Sequence, residues 1–274
     1  MTINCKGNLV DLSTPKIMGI LNSTPDSFYS ESRKMDLDSL LTSAEVMLKQ
    51  GATFLDIGGY STRPGADYIS EIEELERVLP AIEAILKKFP ETLISIDTFR
   101  SKVAAESIEA GAAMINDISA GNLDEKMMQV AADLQVPYIM MHMRGNPKTM
   151  KDLNEYEDLP QDLIYYFSEK IHTALALGIN DLIIDLGFGF AKNIPQNFEL
   201  LSKLEVFKNL KMPILVGLSR KSTIYKTLNI TAEEALNGTT VLNTIALSKG
   251  ANILRVHDVK EAMETVKLMS QLCI

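Results

Sequence analysis

Several residue types that would point to particular classes of protein are scarce in this chain of 274 residues. Tryptophan is absent, aromatic residues make up 6% of the sequence, and cysteine occurs only at Cys5 and Cys273. So few aromatic side chains argue against an all-β binding module built on aromatic pairs. Two cysteines outside any motif indicate reduced thiols, although a disulfide between them stays open on the sequence alone. No spacing of Cys or His predicts a zinc site.

Long apolar runs and an excess of positive charge are also missing. No window of about 18 residues is apolar and free of charge, so the sequence predicts no membrane span. The first residues lack the apolar segment of a signal peptide, and we expect a cytoplasmic protein. The formal net charge of −9 disfavours a nucleic-acid or anionic-membrane surface, because the chain would repel phosphate groups.

Short apolar runs recur along the chain and alternate with segments of helical periodicity. They are apolar nearly throughout, which is typical of strands covered on both faces of a parallel sheet. Eight strands and about eight helices predict an α/β fold, a single (β/α)8 TIM-barrel domain over residues 1–274 with its core at about 16–271. Residues 3–12 predict a short N-terminal hairpin under the barrel floor. The strand candidates are 17–21, 53–57, 93–97, 113–116, 138–142, 182–186, 213–217 and 252–256.

Helix signals and loop lengths support this topology. Ser70 with Glu73, Thr231 with Glu234 and Asp258 with Glu261 predict capping boxes at helix starts. Connections from helix to strand are short, whereas those from strand to helix are often long. Long loops without secondary structure of their own are usually functional, and here they lie at the end of the barrel where such folds build their sites.

The apolar runs end in polar residues at that same end of the barrel. Asp97, Asn116 and Asp185 are rich in acceptors and suit a flat heterocycle with an N–H edge, since a carboxylate can accept two parallel hydrogen bonds. A second group is rich in donors and suits a phosphate or diphosphate. The sequence therefore predicts a pocket with a nitrogen ring at one end and an anion at the other. The donors are Asn22, Arg63, Arg255 and His257.

Eight segments carry a resemblance to a known family. Residues 18–28, MGILNSTPDSF, and residues 56–66, DIGGYSTRPGA, resemble the first two signatures of the dihydropteroate synthases. The other matches follow in the same order along the chain: SIDT at 95–98, IND at 115–117, MHMRG at 141–145, DLGFGF at 185–190, GLSRKS at 217–222 and RVHD at 255–258.

The resemblance implies a barrel enzyme of folate biosynthesis. Such a transferase joins p-aminobenzoate to 6-hydroxymethyl-7,8-dihydropterin diphosphate and releases diphosphate and 7,8-dihydropteroate. It needs Mg2+, forms a homodimer, and is a target of sulfonamides, which compete for the p-aminobenzoate position. Nucleic acid and membrane partners are not expected.

The resemblance also assigns roles to residues of this sequence. Asp97, Asn116, Asp185 and Gly217 would hold the pterin, with Lys221 bonding its ring, Met140 packing beside it and Arg255 stacking over it. Arg63, Lys221, Arg255 and His257 would serve the diphosphate, and Asn22 the metal. The p-aminobenzoate pocket would be formed by Phe28, Thr62, Arg63, Pro64, Phe190 and Ser219.

The chain departs from the family pattern in its loops. Residues 29–32 read YSES where the family usually has SDGG, Tyr60 stands where Glu is frequent, and Ala191 stands where Gly is usual. Fewer glycines predict a stiffer first loop.

Structural roles are the preferred interpretation for several neighbouring polar residues. Asp56 is expected to tie down the second loop, Asp117 to cap a loop, His142 to be a satisfied core histidine, and Arg144 and Lys148 to be solvated.

Two other functions stay open on the sequence. One is a pterin-binding methyltransferase or non-catalytic pterin-binding domain of the same superfamily. The other is a sugar-phosphate barrel enzyme that uses the anion-binding cluster alone. The long first loop and Lys221 favour the synthase.

Overall fold

The apolar runs form strands that close into a barrel. The computed structural model describes residues 1–22, 30–60, 68–147, 149–150 and 153–272. Eight parallel strands pair in chain order, and the last of them pairs with the first, which confirms the predicted (β/α)8 barrel. The barrel strands are β3 (Lys16–Asn22), β4 (Phe54–Gly58), β5 (Leu93–Asp97), β6 (Met114–Asp117), β7 (Tyr138–Met141), β8 (Leu182–Asp185), β9 (Ile214–Val216) and β10 (Ile253–Val256).

Helices follow the strands and cover the outside of the barrel. They pack on the outward-facing strand residues in one large apolar cluster. The described helices are α1 (Ser30–Lys49), α2 (Glu71–Lys88), α3 (Ser101–Glu109), α4 (Met127–Leu134), α5 (Leu159–Ala176), α6 (Ile194–Ser202), a 3-10 helix (Leu204–Leu210), α7 (Ser222–Leu228), α8 (Leu236–Ser248) and α9 (Val259–Met269). None of these is long and apolar enough to cross a lipid bilayer.

The two ends of the barrel differ in polarity. We call the end at the carboxyl termini of the strands the mouth and the opposite end the floor. Side chains alternate between the two faces of a strand, so one set of positions points into the barrel. At the floor that set is apolar and buried, and it forms a cluster separate from the helix-facing one. Its strand members are Met18, Phe54, Met114, Ile139, Ile183, Leu215 and Ile253.

An antiparallel hairpin closes the floor. It consists of β1 (Thr2–Cys5) and β2 (Asn8–Asp11), which confirms the predicted hairpin. Lys6 and Gly7 both have positive φ, 53° and 84°, as the tight turn of a two-residue hairpin requires. Ile3, the free thiol of Cys5 and Leu12 are buried against the floor cluster. Cys273 lies outside the described residues.

Only part of the predicted helix capping is found. The Ser70 hydroxyl accepts from the amide of Glu73 at the start of α2, as predicted. The prediction for Asp258 is wrong, because its carboxylate makes no cap hydrogen bond and pairs with Arg220 instead. At residues 231–234 the Glu234 carboxylate accepts from the Thr231 amide, but the helix itself begins later, at Leu236.

Candidate active site at the mouth of the barrel

The polar residues of the mouth occupy the layer directly above the apolar floor. Asp56, Asn116, Asp185, Gly217 and Arg255 each follow a floor residue by two positions, so the same alternation points them into the barrel. Asp97 lies at the end of β5 and pairs in register with Asn116. The strand period thus gathers residues from six strands, which we call the mouth residues.

Arg255 joins two carboxylates across the mouth. Its Nε lies 2.6 Å from Oδ2 of Asp56, and one terminal nitrogen lies 2.6 Å from Oδ2 of Asp97. The Asp56 side chain is fully buried, and those of Asp97 and Arg255 are 14% and 19% exposed. Burial raises the pKa of Asp97, and the Arg255 cation opposes that rise. Burial alone would lower the pKa of Arg255, but Asp56 and Asp97 outweigh it and raise that pKa.

Asp56 belongs to this site, contrary to the expectation that it ties down the second loop. Its carboxylate accepts from Arg255 and from the Asn116 amide nitrogen, at 3.1 Å for the shorter contact with Asn116. Its position two residues after the floor residue Phe54 is the feature of the sequence that could have indicated an inward-facing side chain. The contact that makes Asp56 part of the site comes from Arg255, which is remote along the chain.

Asp185 and Lys221 are two further charged groups of the mouth, each bonded to the backbone of the loop after β8. One Asp185 oxygen accepts from the Gly187 amide at 2.8 Å, and the Lys221 ammonium donates to the Phe188 carbonyl at 2.5 Å. Burial raises the pKa of Asp185, which Lys221 opposes. Burial also lowers the pKa of Lys221 to about 8, against the attraction of Asp185. The ring centroid of Phe190 lies 5.1 Å from the Lys221 nitrogen.

Gly217 separates the two cations of the mouth. A Cβ atom at this position would lie 3.8 Å from the Lys221 nitrogen and 3.9 Å from the Cβ of Arg255. Because glycine has no side chain, the position beside Lys221 and Arg255 is left unfilled.

The loops after β9 and β10 are tied together beside this space. The Ser219 hydroxyl lies 3.0 Å from Nδ1 of His257 and accepts from the His257 amide. Arg220 binds both oxygens of Asp258, at 2.9 and 2.7 Å, and has a positive φ of 55°. A non-glycine residue in this conformation is uncommon and is held here by its ion pair.

Donors and acceptors are interleaved around the mouth and do not form two separate ends. Arg255, predicted at the anion end, is bonded to Asp97, predicted at the ring end. Carboxylates buried so deeply need compensating cations, and the fold supplies these from β10 and from the loop after β9. The prediction of a two-ended pocket is therefore correct about the residue types that meet at the mouth. It is wrong about their arrangement, because donors and acceptors are mixed and do not lie at separate ends.

Met140 faces away from the mouth, so the prediction that it packs beside the pterin ring is wrong. Ile139 points to the floor, and Met140 packs in the helix-facing cluster. The inward neighbour is Met141, which is buried in a small apolar cluster with Met143, Met150 and Ala191. One residue of register reverses the face of a strand residue, and the sequence motif did not fix that register.

Other predicted site residues fall at the rim or outside the described part of the chain. Asn22 ends β3 and is exposed, opposite Gly58 of β4. The expected positions Phe28, Thr62, Arg63, Pro64 and Lys148 lie outside the described residues.

Asp117 and His142 have structural surroundings. The Asp117 carboxylate accepts from the Ser119 amide and hydroxyl, the Gly121 amide and the Tyr138 hydroxyl, which fits the expected loop cap. His142 is buried and bonded, as expected of a core histidine.

Arg144 differs from the expectation that it is solvated. Its guanidinium lies 3.9 Å from the ring centroid of Tyr156 and forms an ion pair with Asp162 at 3.2 Å.

Known proteins share both the sequence and the fold of this chain. The sequence profile of the family described as "Pterin binding enzyme" matches residues 18–257. The dihydropteroate synthase of Escherichia coli K12 is 43% identical over 272 residues, covering 98% of this chain and 95% of that protein. The Haemophilus influenzae dihydropteroate synthase is 41% identical, and 98% of each chain is covered.

Solved structures match over almost the whole chain. The Yersinia pestis dihydropteroate synthase in complex with a sulfonamide drug has a TM-score of 0.93 at 42% identity, covering 100% of this chain and 99% of that one. The Xanthomonas albilineans dihydropteroate synthase with 4-aminobenzoic acid has a TM-score of 0.91 at 35% identity, covering 99% and 98%.

Proposed function

The chain belongs to the pterin-binding enzymes and, within them, to the dihydropteroate synthases, and from this premise we propose how its barrel mouth performs their reaction. The enzyme condenses 6-hydroxymethyl-7,8-dihydropterin diphosphate with p-aminobenzoate to give 7,8-dihydropteroate and diphosphate. The observation that carries the assignment of residues is the buried charge network at the mouth, in which Arg255 bridges Asp56 and Asp97.

The pterin binds among the mouth residues. Asp97, Asn116 and Asp185 accept from its N–H edge, and Lys221 donates to the ring. The space beside Gly217 admits the flat ring, over which Arg255 stacks. Support comes from the burial of Asp185 and the low exposure of the Asp97 side chain, because a carboxylate largely removed from water gains most from a ligand that donates paired hydrogen bonds.

The diphosphate leaves before the amine attacks. The C–O bond breaks with its electron pair going to the diphosphate, and the pterin ring delocalises the positive charge left on the CH2 group. Asp97 and Asp185 stabilise this cation, while Arg63, Lys221, Arg255 and His257 favour the departing anion. The neutral p-aminobenzoate nitrogen then forms the C–N bond and loses a proton. Preorganised charges of this kind are usually the largest contribution to such catalysis.

Asn22 is the residue proposed to hold Mg2+. Among the described residues no cluster of three or more Asp, Glu, His or Cys side chains forms a cage for a metal ion. Mg2+ keeps several waters and often binds through substrate phosphates with few protein ligands, so a single amide oxygen at the rim fits this ion. When bound, the ion would offset the charge that develops on the diphosphate.

The p-aminobenzoate pocket is proposed at the rim beside the pterin. Phe190 and Ser219 line it from the loops after β8 and β9, and the first two loops contribute Phe28, Thr62, Arg63 and Pro64. The position of Phe190 next to Lys221 supports this placement, because it puts an aromatic ring at the edge of the pterin space.

We also propose a homodimer in the cytoplasm. Neighbouring helices α7, α8 and α9 expose the apolar side chains of Leu228, Val241 and Leu268, which supports an interface there. Sedimentation of the purified protein should give the mass of two chains.

Release of diphosphate is the direct test of the function. With the pterin diphosphate and p-aminobenzoate, we expect diphosphate and 7,8-dihydropteroate in equal amounts, and a large loss of rate when Mg2+ is removed. Saturable binding of the pterin without any release of diphosphate would contradict the synthase and favour a non-catalytic pterin-binding domain. D181N, at the floor end of β8, serves as the matched control and should react at the wild-type rate.

A further inference from the structure

Side chains donate hydrogen bonds to five of the seven carbonyls in the loop between β8 and α6. We call residues 186–192 the β8–α6 loop. Lys192 donates to the carbonyls of Gly187 and Phe190, Lys221 donates to that of Phe188, and the Tyr156 hydroxyl donates to that of Ala191. Asn197 accepts from the Gly189 amide and donates to the Lys192 carbonyl. The shape of this loop therefore depends on a few polar side chains.

Lys192 is the central member of this set. It is buried, and its ammonium group has three neutral acceptors: the Gly187 carbonyl at 3.1 Å, the Phe190 carbonyl at 3.0 Å and Nδ1 of His142 at 3.0 Å. Among the described residues it forms no ion pair within 4.0 Å. An ammonium group has three N–H donors, so all of them are used within the protein.

His142 fixes the other end of this arrangement. It follows the inward-facing Met141, and the alternation of the strand turns it toward α5, where its ring lies 4.8 Å from the ring of Tyr166. Burial, Lys192 and Arg144 lower the pKa of His142 well below its ordinary value, so the ring is neutral. Because an ammonium can only donate, Nδ1 is the acceptor and the ring proton is on Nε2.

The loop is pressed against the backbone at this point. A Cβ atom on Gly187 would lie 2.1 Å from the His142 carbonyl oxygen, and Gly187 has a φ of +69°. Only glycine fits such an approach. Lys192 and His142 therefore hold the loop from its helix side, and neither group lies in the space where the substrates are proposed to bind.

We propose that Lys192, oriented by His142, is a positioning residue that sets the place of Phe190 and thereby controls the binding of p-aminobenzoate. This inference rests on the function proposed above, in which Phe190 lines the p-aminobenzoate pocket. The pterin depends less on Lys192, because Asp97 and Asn116 lie on strands. The β8–α6 loop reaches the other pterin residues through one hydrogen bond from Gly187 to Asp185 and one from Lys221 to the Phe188 carbonyl.

Substitutions of Lys192 test the proposal through the two substrates separately. K192M keeps an unbranched side chain, one heavy atom shorter, and removes all three donors, so the KM for p-aminobenzoate should rise about tenfold. The dissociation constant of the pterin diphosphate, measured by calorimetry without turnover, should change by less than about twofold. K192Q retains two N–H donors without the charge and should recover part of the loss.

Lys170 offers a matched control. Its ammonium also holds a loop through a carbonyl, that of Ala120, and donates to the Asn122 side chain, but it lies away from the proposed pocket. K170M should leave both substrate constants at their wild-type values. If K192M and K170M behave alike, or if K192M raises the pterin constant as much as the KM for p-aminobenzoate, the proposal is wrong.

The pH profile supplies a second readout. Burial lowers the pKa of Lys192 to about 7, with Asp185 opposing this shift and Lys221 and Arg144 adding to it. Loss of its proton removes one donor from the loop, so the wild-type KM for p-aminobenzoate should increase from pH 6 to pH 8. K192M should lack that increase.

H142F extends the test if K192M does not fold. It removes the acceptor that orients Lys192 and should raise the KM for p-aminobenzoate in the same direction, whereas an unchanged KM contradicts the proposal. A wild-type enzyme that releases no diphosphate at all would instead contradict the proposed function, so the two failures are distinguishable.

Discussion

The floor and the mouth of this barrel are built by the same strands, two residues apart, with opposite chemistry. At the floor, residues such as Phe54 and Ile183 are fully buried and covered by the N-terminal hairpin. At the mouth, Asp56 and Asp185 follow them on the same strands. Burying apolar area stabilises the fold by about 25 cal/mol per Å2, whereas burying carboxylates costs free energy that cations or hydrogen-bond donors must offset. Along one strand, therefore, the floor residue contributes apolar burial and the mouth residue contributes a charged group of the site.

Removal of Arg255 should have the largest effect at the mouth. R255A takes away the cation that Asp56 and Asp97 share and the group proposed to stack over the pterin. We expect turnover to fall by about 10^2- to 10^3-fold, as for the loss of one preorganised donor. Breaking a buried ion pair should also lower the free energy of unfolding by about 3–5 kcal/mol.

Diphosphate release and denaturant unfolding measure these two effects. R255K, which keeps the charge but loses the forked geometry, should be intermediate. Unchanged kinetics in R255A would refute the role of Arg255.

The floor should respond in stability alone. Leu12 is fully buried beneath the barrel, so L12A should lower the free energy of unfolding by about 2–5 kcal/mol through lost burial and the cavity left behind. The KM values of the folded variant should equal those of the wild type. Urea unfolding followed by steady-state kinetics checks both, and an altered pterin KM would show that the two ends are coupled.

Two aspartates on one strand allow the sharpest comparison. Asp185 ends β8 at the mouth, and Asp181 precedes the same strand at the floor, where it accepts from the Asn4 amide at 3.0 Å. D185N should weaken pterin binding by about 10- to 100-fold, the effect of losing a hydrogen bond to a charged group. D181N should leave that binding unchanged. Calorimetric titration of the pterin distinguishes the two variants. Equal affinities for D185N and the wild type would show that the Asp185 carboxylate does not hold the pterin.

The pH dependence of Lys221 should be the smallest effect. Burial lowers its pKa to about 8, so pterin affinity should decline as the pH rises through 8 and the ammonium loses its charge. Stability should change in the opposite direction. Between about pH 8 and 10.5 the unfolded chain binds more protons than the folded one, so the contribution of Lys221 to the free energy of unfolding increases with pH.

Comparison of the wild type with K221Q isolates this titration. The variant should show a pterin affinity that no longer depends on pH across this range. A wild-type affinity that is constant from pH 7 to pH 9 would contradict the expectation.

The success of the strand predictions has a physical cause. Parallel strands inside a shell of helices are apolar on both faces, so each appears as a continuous run that needs no long-range information. The hairpin was predictable for a similar reason, since Gly7 supplies the positive φ of its turn. Motifs at the strand ends likewise predicted that Asp97, Asn116, Asp185 and Arg255 converge on one mouth.

Other features depend on contacts between distant segments. Asp258 has the sequence position of a helix cap, but Arg220 competes for its carboxylate in the folded chain. Met140 and Met141 are equivalent by composition, and only the register of β7 decides which of them faces inward. No motif or spacing in the sequence predicted a role for Lys192, because its partner His142 lies in another loop.

The order of the strands, the apolar floor and most of the residues at the mouth were predictable from the sequence, because they follow from local periodicity and from parallel strands ending on one side. The pairing of Arg255 with Asp56 and Asp97 and the support of the β8–α6 loop by Lys192 arise only in the folded chain. Those contacts join parts of the chain that meet only when the barrel closes, and their strength comes from the burial that closure creates.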